Sequence, residues 1–200
     1  MAKLFKNVWF RCISTLLIIA VVSGGLLAVL NNVLHVSAAE RTERAIAKIY
    51  GEKITVTEDD VIIDTDSSDE SKNKAVVYEN GSVNKLYKIG SDLLFQTTGE
   101  KGYKNGSVTL WVLVTVSEGK YDITKVVLES YSKQTLMSKF GNDYYGGFLL
   151  TDVTSHYKKG EGYFVATAGG NQPNTGATYT ATAHCNAVNC VIEYLGENAK

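Results

Sequence analysis

From Cys12 to Ala39 the chain carries no Lys, Arg, Asp or Glu, and most of that gap is the run "CISTLLIIAVVSGGLLAVL". About 20 apolar residues in a helix cross the hydrocarbon core of a bilayer. A helix at a soluble surface would show a polar face, and here the only interruptions are small hydroxyl residues and glycines. Lys3, Lys6 and Arg11 precede the run, whereas Glu40 and Glu43 are among the first charges after it. The positive-inside rule then predicts a single-pass cell-membrane segment with a cytoplasmic N-terminus and an extracytoplasmic domain beyond about Val36. The rival reading is a cleaved signal peptide, since "HVSAAE" offers small residues for processing; signal cores of about 7 to 15 residues are shorter than this one. Both readings export the rest of the chain.

The remainder of the 200 residues is enough for one domain with its own core. Net charge is −1, and no basic run interleaved with aromatics occurs, so nucleic acid is not an expected partner. Twelve tyrosines against one proline favour a sheet-containing domain. Cys185 and Cys190 lie five apart in a helix-like stretch, where about 140° of rotation points their side chains away from each other. The exported part is therefore expected to stand on its hydrophobic core without a disulfide framework.

"ERTERAIAKIYGE" predicts a short helix that ends at Gly51. "TEDDVIIDTDSSDES" follows, with seven acids and no base. Alternating Asp64, Asp66 and Ser68 suggest a calcium loop, but the glycine at loop position six and the glutamate at position twelve are missing, so a solvated loop is expected and no metal site. "AVVYENGSVNKLYKI" predicts two strands about an Asn-Gly turn. In "SVTLWVLVTV", Val108, Leu110, Val112, Val114 and Val116 share one face, with Trp111 and Leu113 on the other, the pattern of a strand covered on both sides. Ser117-Glu118-Gly119-Lys120 then turns the chain into an antiparallel neighbour, "YDITKVVLESY". A short helical piece, "QTLMSKF", and the tyrosine-rich "GNDYYGGFLLTDV" precede the last element. The organisation read from these patterns is an anchor over 1–38, a juxtamembrane helix and acidic loop over 39–73, and an α+β domain over 74–200, an antiparallel β-sheet with flanking helices.

The last element is "NTGATYTATAHCNAVNCVIEYLG", residues 174 to 196. Tyr179, Ala183, Ala187, Val188, Val191, Ile192 and Leu195 recur at helical spacing and form one stripe. Thr178 stands at or beside the N-cap, where threonine caps well. A helix start also presents unpaired N–H groups and partial positive charge, which suit a phosphate, and Gly169, Gly170 and Gly176 permit close backbone approach. The residues alone leave both readings open, the bare cap being the simpler. There is no GxxxxGK[ST] loop and no GxGxxG fingerprint. No Ser-His-Asp or Cys-His spacing is convincing; His184 is as readily exposed as functional, and His156 has no partner in view.

"TGAT" ahead of a small-residue helix resembles the [S/T]-G-A-T attachment motif of the FMN-binding domain family, which includes the G subunit of the Rnf electron-transport complex and the C subunit of the sodium-pumping NADH:quinone reductase. "GEKGYKNGSVTLWVLVTVSEGKYDITKVVLES" is similar to that family's glycine-tyrosine-glycine approach to a long strand and hairpin, and "SKQTLMSKF" falls where the family has a threonine-containing segment beside the flavin. The resemblance covers about residues 94 to 196, with the N-terminal anchor similar in architecture. It implies FMN joined covalently to Thr178 through a phosphodiester, with Thr175, Gly176 and Ala177 giving a flavin transferase access, and with Gln134 and Thr135 as flavin contacts. It also implies an electron carrier among other membrane redox subunits, with no catalytic residue of its own. The chain departs from the family at Gln172, where the transferase's pattern has an acid, and at Gln134-Thr135-Leu136-Met137, where Rnf-type members read Glu-Thr-Pro-Gly. The alternative is a non-flavinylated binding or scaffold domain of the same fold. A free-standing reductase with noncovalent flavin ranks last, for want of a nicotinamide-binding segment.

Overall fold

The computed structural model describes residues 8–34, 37–167, 170–171 and 176–199. The chain divides into two units, Met1–Arg41 and Thr42–Lys200. In the first unit, α1 (Val8–Leu34) contains the stretch Cys12–Leu30, which has a mean hydropathy of 2.5 and none of its window buried. It is a candidate membrane span or signal sequence. Ser23 turns its hydroxyl back onto the Ile19 carbonyl at 2.5 Å, so this polar group is satisfied inside the helix.

Among the described residues the second unit has six strands: β1 (Val61–Asp64), β2 (Val76–Tyr78), β3 (Gly81–Ile89), β4 (Asp92–Gly99), β5 (Val108–Ser117) and β6 (Lys120–Tyr131). They form one antiparallel sheet in the order β1-β3-β4-β5-β6, with β2 paired to the opposite end of β3 from β1. With its helices this is an α+β architecture. The β5–β6 turn is the one expected: Ser117 pairs with Lys120, and Glu118 and Gly119 have φ of 51° and 76°. Two successive positive φ values match the right-handed twist of the flanking strands.

The β2–β3 turn differs from expectation by one residue. Tyr78 pairs with Gly81, so Glu79 and Asn80 make the connection and Gly81 is the first strand residue. Gly81 serves packing instead. It lies opposite Gly99 of β4, and a Cβ on Gly99 would overlap the Ala183 carbonyl and the Ala187 amide of the last helix. A Cβ on Gly81 would sit 2.9 Å from the Cys190 sulfur and overlap the Thr98 carbonyl. The paired glycines let a helix lie against the sheet at backbone distance.

That helix is α4 (Thr178–Asn198). It packs on the face carrying Phe95, Val108, Leu110, Val112 and Val114. A bulge at Asn84 shifts the β3 register, so Val83 and Leu86, three apart, both face this core. The opposite face carries Tyr87, Leu94 and Trp111, covered by Ile46 and Ile49 from α2 (Ala38–Tyr50), with Leu113 packed beside them. β5 is thus covered on both sides, as its pattern predicted, and so are its neighbours β3 and β4. α2 ends as expected at Gly51, which has φ 80° and donates its N–H to the Ala47 carbonyl at 2.9 Å.

The acidic stretch is not solvated throughout, as its composition suggested. Part of it forms β1, and Asp64 and Asp66 hold the buried Lys85 ammonium at 3.0 and 2.6 Å, while Tyr87 donates to Asp64 at 2.6 Å. Burial pushes the Asp64 carboxyl up, but hydrogen bonds from Tyr87, the Asp66 N–H and Lys85 outweigh it and hold the group below the usual carboxylate range.

Candidate functional site at the mouth of the last helix

The N-cap of α4 is Ala177, with φ −128° and ψ 59°, and it supplies no side-chain cap. Thr178 is therefore the first helical residue, which corrects its expected capping role: its hydroxyl is exposed rather than spent on the helix's own N–H groups. The first-turn N–H groups of a helix have no intrahelical acceptors, and the macrodipole adds partial positive charge there. Gly176, exposed and at φ 64°, forms the preceding turn. Thr175 and Gln172, together with Gly169, lie outside the described residues.

Two segments distant in sequence complete the mouth. Thr180 donates its hydroxyl to the Thr135 carbonyl at 3.1 Å, which ties the loop after β6 to the first turn of α4. Thr135 and Leu136 are exposed, and Leu136 is held at φ 57°, a conformation that a branched apolar residue rarely adopts. The 3-10 turn that follows, Met137–Lys139, carries Lys139, whose Nζ lies 3.8 Å from the point where a Cβ on Gly176 would stand. A lysine ammonium thus accompanies the helix N-terminus. No local pattern linked Lys139 to Thr178, so the sequence reading missed it.

Gln134 has a different setting. It is buried, accepts from the Tyr103 N–H at 3.0 Å and donates to the Ser132 carbonyl at 3.0 Å. Its amide fills the space that a Cβ on Gly102 or Gly106 would need. The Gln134 amide thus joins the 102–106 loop to the end of β6 at Ser132, whereas Thr135, one residue on, is exposed beside α4.

Behind the mouth, His184 is fully buried, so of its two open readings exposure is excluded. Its ring stacks on Phe140 at 4.5 Å and meets the edge of Tyr144 at 5.4 Å. The Thr180 carbonyl, 2.9 Å from Nδ1, can only accept, so Nδ1 carries the hydrogen and Nε2 accepts the Tyr145 O–H at 3.2 Å. Burial drives the His184 pKa down to about 4, against a smaller opposing effect of the Thr180 bond. This neutral imidazole is a core residue that ties α3 (Asn142–Gly146) to α4. His156 has an aromatic neighbour, Tyr163, at 4.6 Å. Tyr179, expected in the apolar stripe, is 72% exposed, one residue from Thr178.

The outward side of α4 floors a groove of about 330 Å³. Its banks are the β2–β3 hairpin tip with Tyr78 and the loop carrying Tyr157 and Tyr163; Thr182, Asn186 and Asn189 line its floor. Asn189 clamps the loop by exchanging two hydrogen bonds with the Phe164 backbone, both at 2.9 Å. Cys185 and Cys190 are buried beside it outside any disulfide, each thiol pushed up to about 12 by burial, so neither is a nucleophile at neutral pH. Among the described residues no group of three His, Cys, Asp or Glu is arranged to hold a metal.

Searches against protein-family models, curated proteins and solved structures find no match for this chain.

Proposed function

We propose that this protein is a membrane-anchored, extracytoplasmic electron-transfer flavoprotein carrying FMN on Thr178 through a phosphodiester, a subunit or relative of an Rnf-type complex. One observation carries the reading: an exposed threonine hydroxyl in the first turn of a 21-residue helix, with Lys139 beside the preceding glycine. A phosphodiester keeps one negative charge. The first-turn N–H groups, the helix dipole and the Lys139 ammonium all oppose that charge with positive potential. A hydroxyl that capped its own helix would be shielded; at the first helical position it stands clear for a flavin transferase. The Thr180 hydroxyl, two residues on, bonds the Thr135 carbonyl and ties the loop after β6 to the same first turn of the helix, which supports a fixed setting for the attachment residue.

The flavin, when bound, supplies the redox chemistry, while the polypeptide positions and tunes it. The chain's own tasks are to hold the phosphate end at the helix mouth and to present the ring to partner redox subunits at the membrane. The apolar helix α1 supports single-pass anchoring, with the N-terminus cytoplasmic by its basic flank. Expression of the full chain with a flavin transferase tests the proposal. Ultraviolet fluorescence that survives a denaturing gel and disappears in Thr178→Ala is the expected result; a colourless protein beside a flavinylated control refutes it.

Gln172 favours a second reading, a scaffold of the same fold that receives no flavin, because the transferase's pattern has an acid at that position. The intact mass of the co-expressed protein separates the two readings.

A further inference from the structure

We propose that the groove on the outward side of α4 seats the isoalloxazine ring of the nucleotide tethered at Thr178, an assignment that rests on the covalent attachment proposed above. Thr178, Thr182, Asn186, Asn189 and Glu193 follow one another at intervals of four, four, three and four, so they form a single stripe along the helix. The last four line the groove, and the attachment residue heads the same stripe. At a rise of about 1.5 Å per residue, Thr182 lies about 6 Å and Asn186 about 12 Å down the axis. Seven bonds separate the phosphorus of FMN from its ring nitrogen. Extended, with bonds of about 1.5 Å, they span about 9 Å. A ring on that tether comes down between Thr182 and Asn189, on the side of α4 turned away from Thr180, so Thr135, bonded to Thr180, is left as a contact of the phosphate end and not of the ring.

The groove suits such a ring in size and chemistry. About 330 Å³ falls at the lower end of the range for small-molecule sites. Tyr78, Tyr157 and Tyr163 offer aromatic faces on both banks. The Asn186 Nδ2 is spent on the Glu100 carbonyl at 2.8 Å, and its amide oxygen can accept a ring N–H. Glu79, Glu161 and Glu193 also line the groove. Lys101 pairs with Glu79 at 3.3 Å and Lys158 with Glu161 at 3.7 Å, and Lys159 acts on Glu193, so these carboxylates are offset by lysines and the groove admits a neutral ring, while the Lys139 ammonium by the helix mouth suits the phosphate.

The experiment uses the full chain co-expressed with a flavin transferase and solubilised in detergent. Loading is read from the denaturing gel and from intact mass; seating is read from flavin fluorescence in the native protein. A ring against tyrosines is quenched by electron transfer from them. Native fluorescence is therefore expected to be severalfold below that of the denatured protein, to resist iodide, and to rise severalfold when Tyr78, Tyr157 and Tyr163 are changed together to Phe with loading unchanged. Covalent flavin with equal native and denatured fluorescence overturns the seat and leaves the attachment standing. So does quenching relieved by Tyr179→Phe instead, which would place the ring at the helix mouth. Absence of covalent flavin in a host that loads a control protein overturns both.

Discussion

Lowering the pH from 7 to 4 should remove roughly 3 kcal/mol of stability through His184 alone. An ordinary imidazole titrates at 6.5, and burial brings this one to about 4. Each decade between folded and unfolded values corresponds to about 1.4 kcal/mol, so the gap amounts to roughly 3 kcal/mol. The sign follows from which state takes the proton first. Above pH 6.5 both states are neutral and the contribution is constant. Between 6.5 and about 4 the unfolded chain binds a proton that the folded chain refuses, so stability falls with pH; below about 4 both are protonated and the loss levels off. Protonation would also cost the Tyr145 bond, because Nε2 would become a donor facing a hydroxyl that now donates to it. The assay is urea unfolding of the full chain in detergent, followed by the fluorescence of the buried Trp111, at half-unit steps of pH. Asp64 loses stability in acid too, so the informative quantity is the difference between the wild type and the double variant His184→Leu, Tyr145→Phe, which removes the imidazole and its donor together. The two curves should converge by roughly 3 kcal/mol between pH 7 and 4. Parallel curves would refute the account of His184 as a buried neutral base.

Gly99→Ala should destabilise the domain by about 3 kcal/mol, since its methyl has to displace helix backbone, whereas Gly141→Ala, with nothing within 4 Å, should cost far less; thermal unfolding compares them. Lys85→Met should cost about 2–3 kcal/mol at pH 7 by leaving Asp64 without its cation, and the deficit should shrink in acid as that carboxyl takes a proton, which chemical denaturation at two pH values measures. Lys139→Glu should lower flavin loading by the transferase while Lys139→Arg retains it, with melting temperature unchanged in both, because the side chain is exposed; gel fluorescence normalised to protein reads the loading.

The elements that rest on local periodicity were legible. A charge-free apolar run yields α1, period-two alternation yields β5 with its two faces, Glu118-Gly119 yields the hairpin turn, and period 3.6 yields α4. The errors fell where two local rules compete. Asn80-Gly81 reads as a turn because glycine permits positive φ, yet here its missing Cβ serves the approach of α4. The acidic run reads as solvated, yet the buried Lys85, 19 residues from Asp66, pairs with two of its carboxylates, the half-buried Asp64 and the exposed Asp66.

The candidate site divides in the same way. Thr178 at a helix start, with Gly176 and Ala177 before it, is a local statement that the order of residues makes on its own. His184 in the core, Lys139 beside Gly176 and Thr135 tied to Thr180 join residues some 37 to 45 positions apart, and no periodic pattern encodes such pairs. They come from α4 settling onto the Gly81–Gly99 pair and from the loop after β6 folding back over it. A chain's short-range order specifies which face each element buries; which strangers meet on the faces left over is a matter of how closely the elements pack.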